Sequence, residues 1–293
     1  MSPNKFDVNK HYYPKAPLLP ALLRALCFFL FYYVTRMVVY NGAAIFFVSR
    51  YGDDIEAANE MYLKSANMLS VISGVIILAL LALFFSARRK KLSKEFYLNK
   101  VRFSTAAICF FAGISLNFAT TLVMSYLPQS LLESYGEASS SVMDGHTVWY
   151  ILAAIIMAPI LEEVIFRAMM LTNISTATGN VLAVLLSSAV FGAVHGHIVW
   201  STYAFVIGCL LGTVFIRTRS VIASILTHLA FNSVSLLSYV NVDAMPQNAQ
   251  ALYYTFLSLC ESLAVPLSIT LIIILFHETA DVSSKMPVGF DEE

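Results

Sequence analysis

Apolar stretches of roughly membrane-spanning length recur along this chain, separated by short polar segments. They lie near 18–48, 65–86, 103–127, 147–172, 180–199, 200–216, 219–240 and 251–276. A helix needs about 20 apolar residues to cross the hydrocarbon core of a bilayer. The pattern therefore predicts an all-α, polytopic bundle of about eight transmembrane helices. The first stretch is overlong and carries Arg24 and Arg36, so a kink or an interfacial portion is expected there. The fifth and sixth stretches nearly fuse, with His195-Gly196-His197 between them. The polar residues 128–146 are expected to form a loop. No internal repeat or long linker divides the chain. It reads as one membrane domain with three regions: a three-helix part over 1–146, a core over 147–240, and a last helix with its tail over 241–293.

Composition strengthens this picture. The 293 residues are 58% hydrophobic and 12% charged, whereas soluble domains carry about 25% charged residues. Lipid is the expected solvent, and the localisation is that of a multi-pass integral membrane protein, expected in a bacterial cell membrane. The first 17 residues are polar and include Lys5, Lys10 and Lys15; the run that follows lacks a small-residue cleavage site and is expected to be a retained helix. Formal net charge is zero, which points to no nucleic-acid partner. Cys27, Cys109, Cys209 and Cys260 each stand alone, so neither a zinc knuckle nor a disulfide framework is indicated.

Local charge is asymmetric. Residues 87–102 contain Arg88, Arg89, Lys90, Lys91, Lys94, Lys100 and Arg102 against Glu95, and Arg217 and Arg219 mark a second basic turn. The alternate segments are acidic, with Asp53, Asp54, Glu56 and Glu60, then Glu133, Glu137 and Asp144, then Asp243. By the positive-inside rule, eight spans with this alternation predict both termini in the cytoplasm.

Ionisable groups at membrane depth carry the chemistry, because each costs roughly 2.5–3.5 kcal/mol to insert. Glu162 and Glu163 are consecutive in the fourth stretch. Glu163 and Arg167 stand at i and i+4 with the acid first, the favourable order for an ion pair. Glu162 is then the carboxylate free for acid–base work. Pro159 removes the bond to the carbonyl of Ile155 and should disturb the helix beside it. Phe191 and His195 are expected on one face of the fifth helix, with Gly192 and Gly196 as a close-packing pair. His197 is expected at the helix end, outside the site. Gly208 and Gly212 form a second packing pair. In the seventh helix, His228 and Asn232 share a face and offer donors and acceptors to one point. Each cluster, taken alone, could instead be a structural clasp between helices.

Glu162 is about 16 residues before Thr178-Gly179 and His195 about 16 after it, so an antiparallel pair puts them at similar depth. His228 is only 9 residues beyond Arg219 and reaches that depth only in a short or tilted helix. Amide hydrolysis needs an activated water, donors for an oxyanion and a proton for the leaving amine. Glu162 suits the base, His195 can orient the water, and His228 with Asn232 can donate to the oxyanion. An equally available arrangement puts a divalent metal, zinc by donor type, on Glu162, His195 and His228. HExxH, GxSxG and GxGD motifs are absent.

The EExxxR pattern of Glu162, Glu163 and Arg167, the FxxxH of Phe191 and His195, and the HxxxN of His228 and Asn232 resemble, in order and helix placement, the motifs of the CPBP (Abi-type) family of CAAX proteases and bacteriocin-processing enzymes. The resemblance covers roughly 147–240 and makes that region the expected catalytic core. It implies an intramembrane endopeptidase, commonly described as a metallopeptidase, with Glu162, His195, His228 and Asn232 catalytic and Glu163 and Arg167 supporting. The implied partners are membrane lipid and a peptide or lipidated-protein substrate, such as a prenylated CAAX protein. Two other functions fit intramembrane acids and imidazoles: a non-catalytic scaffold or immunity protein of the same fold, and a proton-coupled transporter. The first 100 residues carry no family signature.

Overall fold

The computed structural model describes residues 16–143 and 147–280. These residues form eleven helices: α1 Leu18–Tyr51, α2 Ile55–Lys64, α3 Ala66–Ala87, α4 Leu92–Glu95, α5 Phe103–Met124, α6 Gln129–Met143, α7 Thr147–Thr178, α8 Asn180–Ala193, α9 Ile198–Thr218, α10 Val221–Ser233 and α11 Gln247–Glu278. No strand occurs among the described residues. Helices are the natural outcome for long apolar runs in lipid, where each backbone N–H and C=O must be paired within its own segment. Seven helical segments are long and apolar enough to cross a membrane: α1, α3, α5, α7, α9, α11, and α10 with its continuation to Tyr239. α8, where the sequence predicts an eighth crossing, is a shorter apolar helix of 14 residues. Large apolar side chains such as Phe103, Val181, Leu252 and Ile45 face outward, as expected of a lipid-facing surface.

Several expectations change. α1 is one unbroken helix despite Arg24 and Arg36. Arg24 Nε instead donates to Asn173 Oδ1 at the end of α7, 2.9 Å away. The predicted loop 128–146 contains the amphipathic helix α6, which the scatter of polar residues concealed; Asp144 lies outside the described residues, as do Lys5, Lys10 and Lys15. The fifth helix stops at Ala193, not near 199, so His195 and Gly196 belong to a turn. Gly196 has φ +78 and no neighbour near its Cα; it shapes that turn and packs against nothing.

α7 is the centre of the bundle. Every residue from Val164 to Leu171 is buried, and α1, α3, α8 and α10 pack around it. Two of its stretches, Ile151–Met157 and Val164–Leu171, are π-helical. Pro159 sits in the first turn of the α-helical segment Ala158–Glu163 between them, so the disturbance expected at the proline is absorbed by the wider turns. α5 packs on α10 and α11, and α8 on α9.

The two basic segments meet at one end of the bundle. Ser220 Oγ donates to Asn99 O (2.6 Å), Asn99 Nδ2 donates to Arg219 O (2.5 Å), and Val221 N donates to Tyr97 O (3.0 Å). At another turn, α6 is tied to the α8–α9 connection by a 2.9 Å hydrogen bond between Ser134 Oγ and His197 Nε2.

Candidate active site

The innermost part of the site is a locked charge pair. Glu163 and Arg167 are 0% and 1% exposed, and Arg167 Nη1 lies 3.1 Å from Glu163 Oε1. The expected i, i+4 pair is therefore present. Arg167 Nη2 also donates to Gly208 O on α9 at 3.1 Å, and its guanidinium covers the ring of Phe191 at 4.6 Å. Gly208, expected only as a packing residue, thus also supplies an acceptor that holds the arginine.

His228 joins this pair to the open part of the site. Its Nδ1 is 3.0 Å from Glu163 Oε1, and its Nε2 is 3.9 Å from Glu162 Oε2. A carboxylate beside arginine only accepts hydrogen bonds, so Nδ1 of His228 carries the proton that faces it. Nε2 is thereby turned toward Glu162. The depth condition is met because α10 is a short α-helix of 13 residues before it tightens into a 3₁₀ turn over Val234–Tyr239. Gly113 of α5 makes the approach possible. A Cβ there would be 2.1 Å from the carbonyl oxygen of Thr227, the residue before His228.

Glu162 points out of this locked region, with 17% of its side chain exposed. It lines a cavity of about 430 Å³ together with His195, His228 and Asn232, so the structure brings all four sequence-predicted residues to one space. His195 Nδ1 is 2.7 Å from the carbonyl oxygen of Phe191, so that nitrogen carries the proton and Nε2 keeps its lone pair. The i, i+4 relation expected along a helix survives here as a side-chain bond across the helix end. Asn232 Nδ2 donates to Ala154 O at 2.8 Å, which spends one of its two amide protons. His197 bonds Ser134 and is not among the lining residues, as expected.

Sequence reasoning missed other parts of the wall. Arg36 of α1, Asn117 of α5, Tyr135 of α6, Tyr150 of α7 and Tyr203 of α9 also line the cavity. Arg36 was visible as a charge in an apolar run; the tyrosines and Asn117 carry no signal that separates them from other bundle residues. A second cavity of about 370 Å³, almost wholly apolar, lies between α5, α6 and α9 and shares Tyr203 and Ile207 with the first.

Among the described residues, no three His, Cys, Asp or Glu side chains gather as a set that would hold a metal ion. Glu162, His195 and His228 share the cavity without forming the close N/O shell that zinc requires. No chemical step below passes through a metal.

The fold and site define a class: a polytopic helical membrane protein that holds a carboxylate, two imidazoles and an amide around one buried cavity. Residues 144–234 match the family model described as Type II CAAX prenyl endopeptidase Rce1-like. That matched region covers less than half of the chain and is similar to the CAAX-protease family. The match spans α7 to α10 and contains all four candidate catalytic residues. No curated protein and no solved structure matches the chain.

Proposed function

We propose that this protein hydrolyses a peptide bond near the carboxyl end of membrane-associated, CAAX-type substrates, using a water activated by Glu162. The observation that carries this reading is the division of labour between adjacent glutamates. Glu163 is committed to Arg167 and His228, while Glu162 faces the cavity beside His228 Nε2 and His195.

The chemistry follows from those positions. Two atoms 3.9 Å apart, such as Glu162 Oε2 and His228 Nε2, can share one water through hydrogen bonds of ordinary length. Glu162 takes a proton from that water as its oxygen attacks the scissile carbonyl. His195, with Nδ1–H held by Phe191 O, accepts from the water through Nε2 and orients it. The oxyanion is met by the remaining amide proton of Asn232 and by His228 Nε2–H. Glu162 then returns its proton to the amide nitrogen as the oxyanion collapses and the C–N bond breaks, which releases an amine and a carboxylic acid and closes the cycle. The apolar cavity that shares Tyr203 and Ile207 with the polar one offers room for an apolar, prenyl-type substituent. Membrane lipid supplies the surroundings.

The test uses purified full-length protein in detergent and a farnesylated peptide ending in a CAAX-type sequence, with products read by mass spectrometry. Wild type should release the carboxy-terminal fragment, and Glu162→Gln should not. A parallel chelator arm reports on metal. Full cleavage by folded Glu162→Gln protein would sink the assignment.

A further inference from the structure

Arg36 stands near the middle of α1, 18 residues after Leu18 and 15 before Tyr51. An arginine at that depth costs roughly 2.5–3.5 kcal/mol to insert and needs a reason to be there. The buried Arg167 has one, because it is consumed by Glu163 and Gly208 O. Arg36 has only soft partners. Its guanidinium is 5.6 Å from the ring centroid of Tyr32 and 5.5 Å from that of Tyr40, at i−4 and i+4. Its polar contacts are with the same two tyrosines: a hydrogen bond with Tyr32 and a long 3.4 Å approach of Nη2 to the hydroxyl of Tyr40. No carboxylate of the described residues lies within 4.0 Å of it.

Arg36 also lines the cavity that holds Glu162, and among the described residues it is the only Arg or Lys on that wall. Two flanking tyrosines hold a planar cation in place and take only part of its N–H fork. Such a fork matches a carboxylate or a phosphate oxygen pair. A peptidase cutting inside a long chain needs no cation beside its catalytic carboxylate. One releasing a short carboxy-terminal fragment meets a free carboxylate a few residues from the scissile bond.

Building on the peptidase reading, we infer that Arg36 is the specificity residue that receives the substrate's free α-carboxylate, so that cleavage is measured from the carboxyl terminus. Arg36 touches the end of the substrate and takes no part in bond breaking.

The experiment compares one farnesylated CAAX-type peptide as free acid and as carboxy-terminal amide. Cleavage is followed with Glu162 intact, and binding is measured in the Glu162→Gln background. Wild type should prefer the acid by about tenfold or more, the range of a charge-assisted hydrogen bond. Arg36→Gln should remove that preference through KM on the acid, leave the amide unchanged, and be partly rescued by Arg36→Lys. Equal losses on both peptides would mean a structural role, and a preference that persists in Arg36→Gln would mean a different anchor; either overturns the inference. Short-chain phosphatidylglycerol is the third probe. If it binds wild type but not Arg36→Gln while acid and amide bind alike, Arg36 is a lipid-phosphate site and the inference fails. If neither peptide is cleaved but acid is still bound in preference to amide through Arg36, the peptidase reading fails and the carboxylate site stands. Without any acid–amide discrimination in binding or cleavage, the inference falls.

Discussion

Glu162 and Glu163 are neighbours in the chain, yet their surroundings set them to different tasks. Glu163 is fully buried and shares one oxygen between Arg167 and His228, whereas Glu162 faces the cavity. Replacing Glu163 by Ala would strand a buried cation and an imidazole at once. Breaking a buried pair in this way costs about 3–5 kcal/mol. Glu163→Ala is therefore expected to lower thermal stability in detergent markedly, together with activity. Glu162→Gln, by contrast, should unfold close to wild type because its side chain is partly exposed and lacks a direct hydrogen bond. Near-equal melting temperatures for wild type and Glu163→Ala would contradict the locked-pair account. Asn232→Ala, which removes the proposed oxyanion donor, should reduce kcat by about 10²–10³ with a smaller change in KM, measured on the same peptide. An unchanged kcat would remove Asn232 from the reaction.

At the level of helices, the site depends on a close crossing of α5 and α10. Gly113→Ala would put a methyl group 2.1 Å from the carbonyl oxygen of Thr227, so α10 must shift and carry His228 with it. Overpacking of this kind costs about 1–3 kcal/mol, and the displaced imidazole should lower activity further. Gly136→Ala on α6 is the control, since nothing lies within 4 Å of the added atom. Thermal unfolding and cleavage of the two variants check this, and equal behaviour would contradict it. How much of this was legible in the sequence differs by element. Spacing exposed the Glu163–Arg167 pair, the similar depth of Glu162 and His195, and the antiparallel turn at Gly179, whereas the joint site with His228 and Asn232 came from the family resemblance. The helix end at Ala193 was hidden because apolar residues continue past it, and hydropathy does not register where a backbone turns. α6 was hidden because a polar amphipathic helix and a polar loop have similar composition. The shortness of α10 was only a condition, set by the depth of His228, which the fold then met. Arg36 was noticed as a disturbance of α1, and Tyr32 and Tyr40 stand at i−4 and i+4 from it, but the cavity it lines is shared with α3 and α7, which no local pattern reveals.

The molecule as a whole has an electrostatic polarity. The basic residues of 88–102 and the Arg217–Ser220 turn are joined by hydrogen bonds through Asn99 and Ser220. The positive-inside rule assigns that end to the cytoplasm. In a background lacking the four native cysteines, Lys91→Cys should resist a membrane-impermeant maleimide in intact cells, and Ser134→Cys should react. Labelling of both from outside would contradict the eight-crossing arrangement, in which the short α8 crosses the membrane. That arrangement matters for function because the bundle wraps α7 and keeps its carboxylates away from bulk water. The most direct test of the central claim is a single-turnover rate on the farnesylated peptide, comparing wild type with Glu162→Gln at equal folded protein. General-base loss predicts a fall of about 10²–10⁴ in the cleavage rate, with peptide binding preserved. A Glu162→Gln rate within twofold of wild type would contradict it and require a different nucleophile or base.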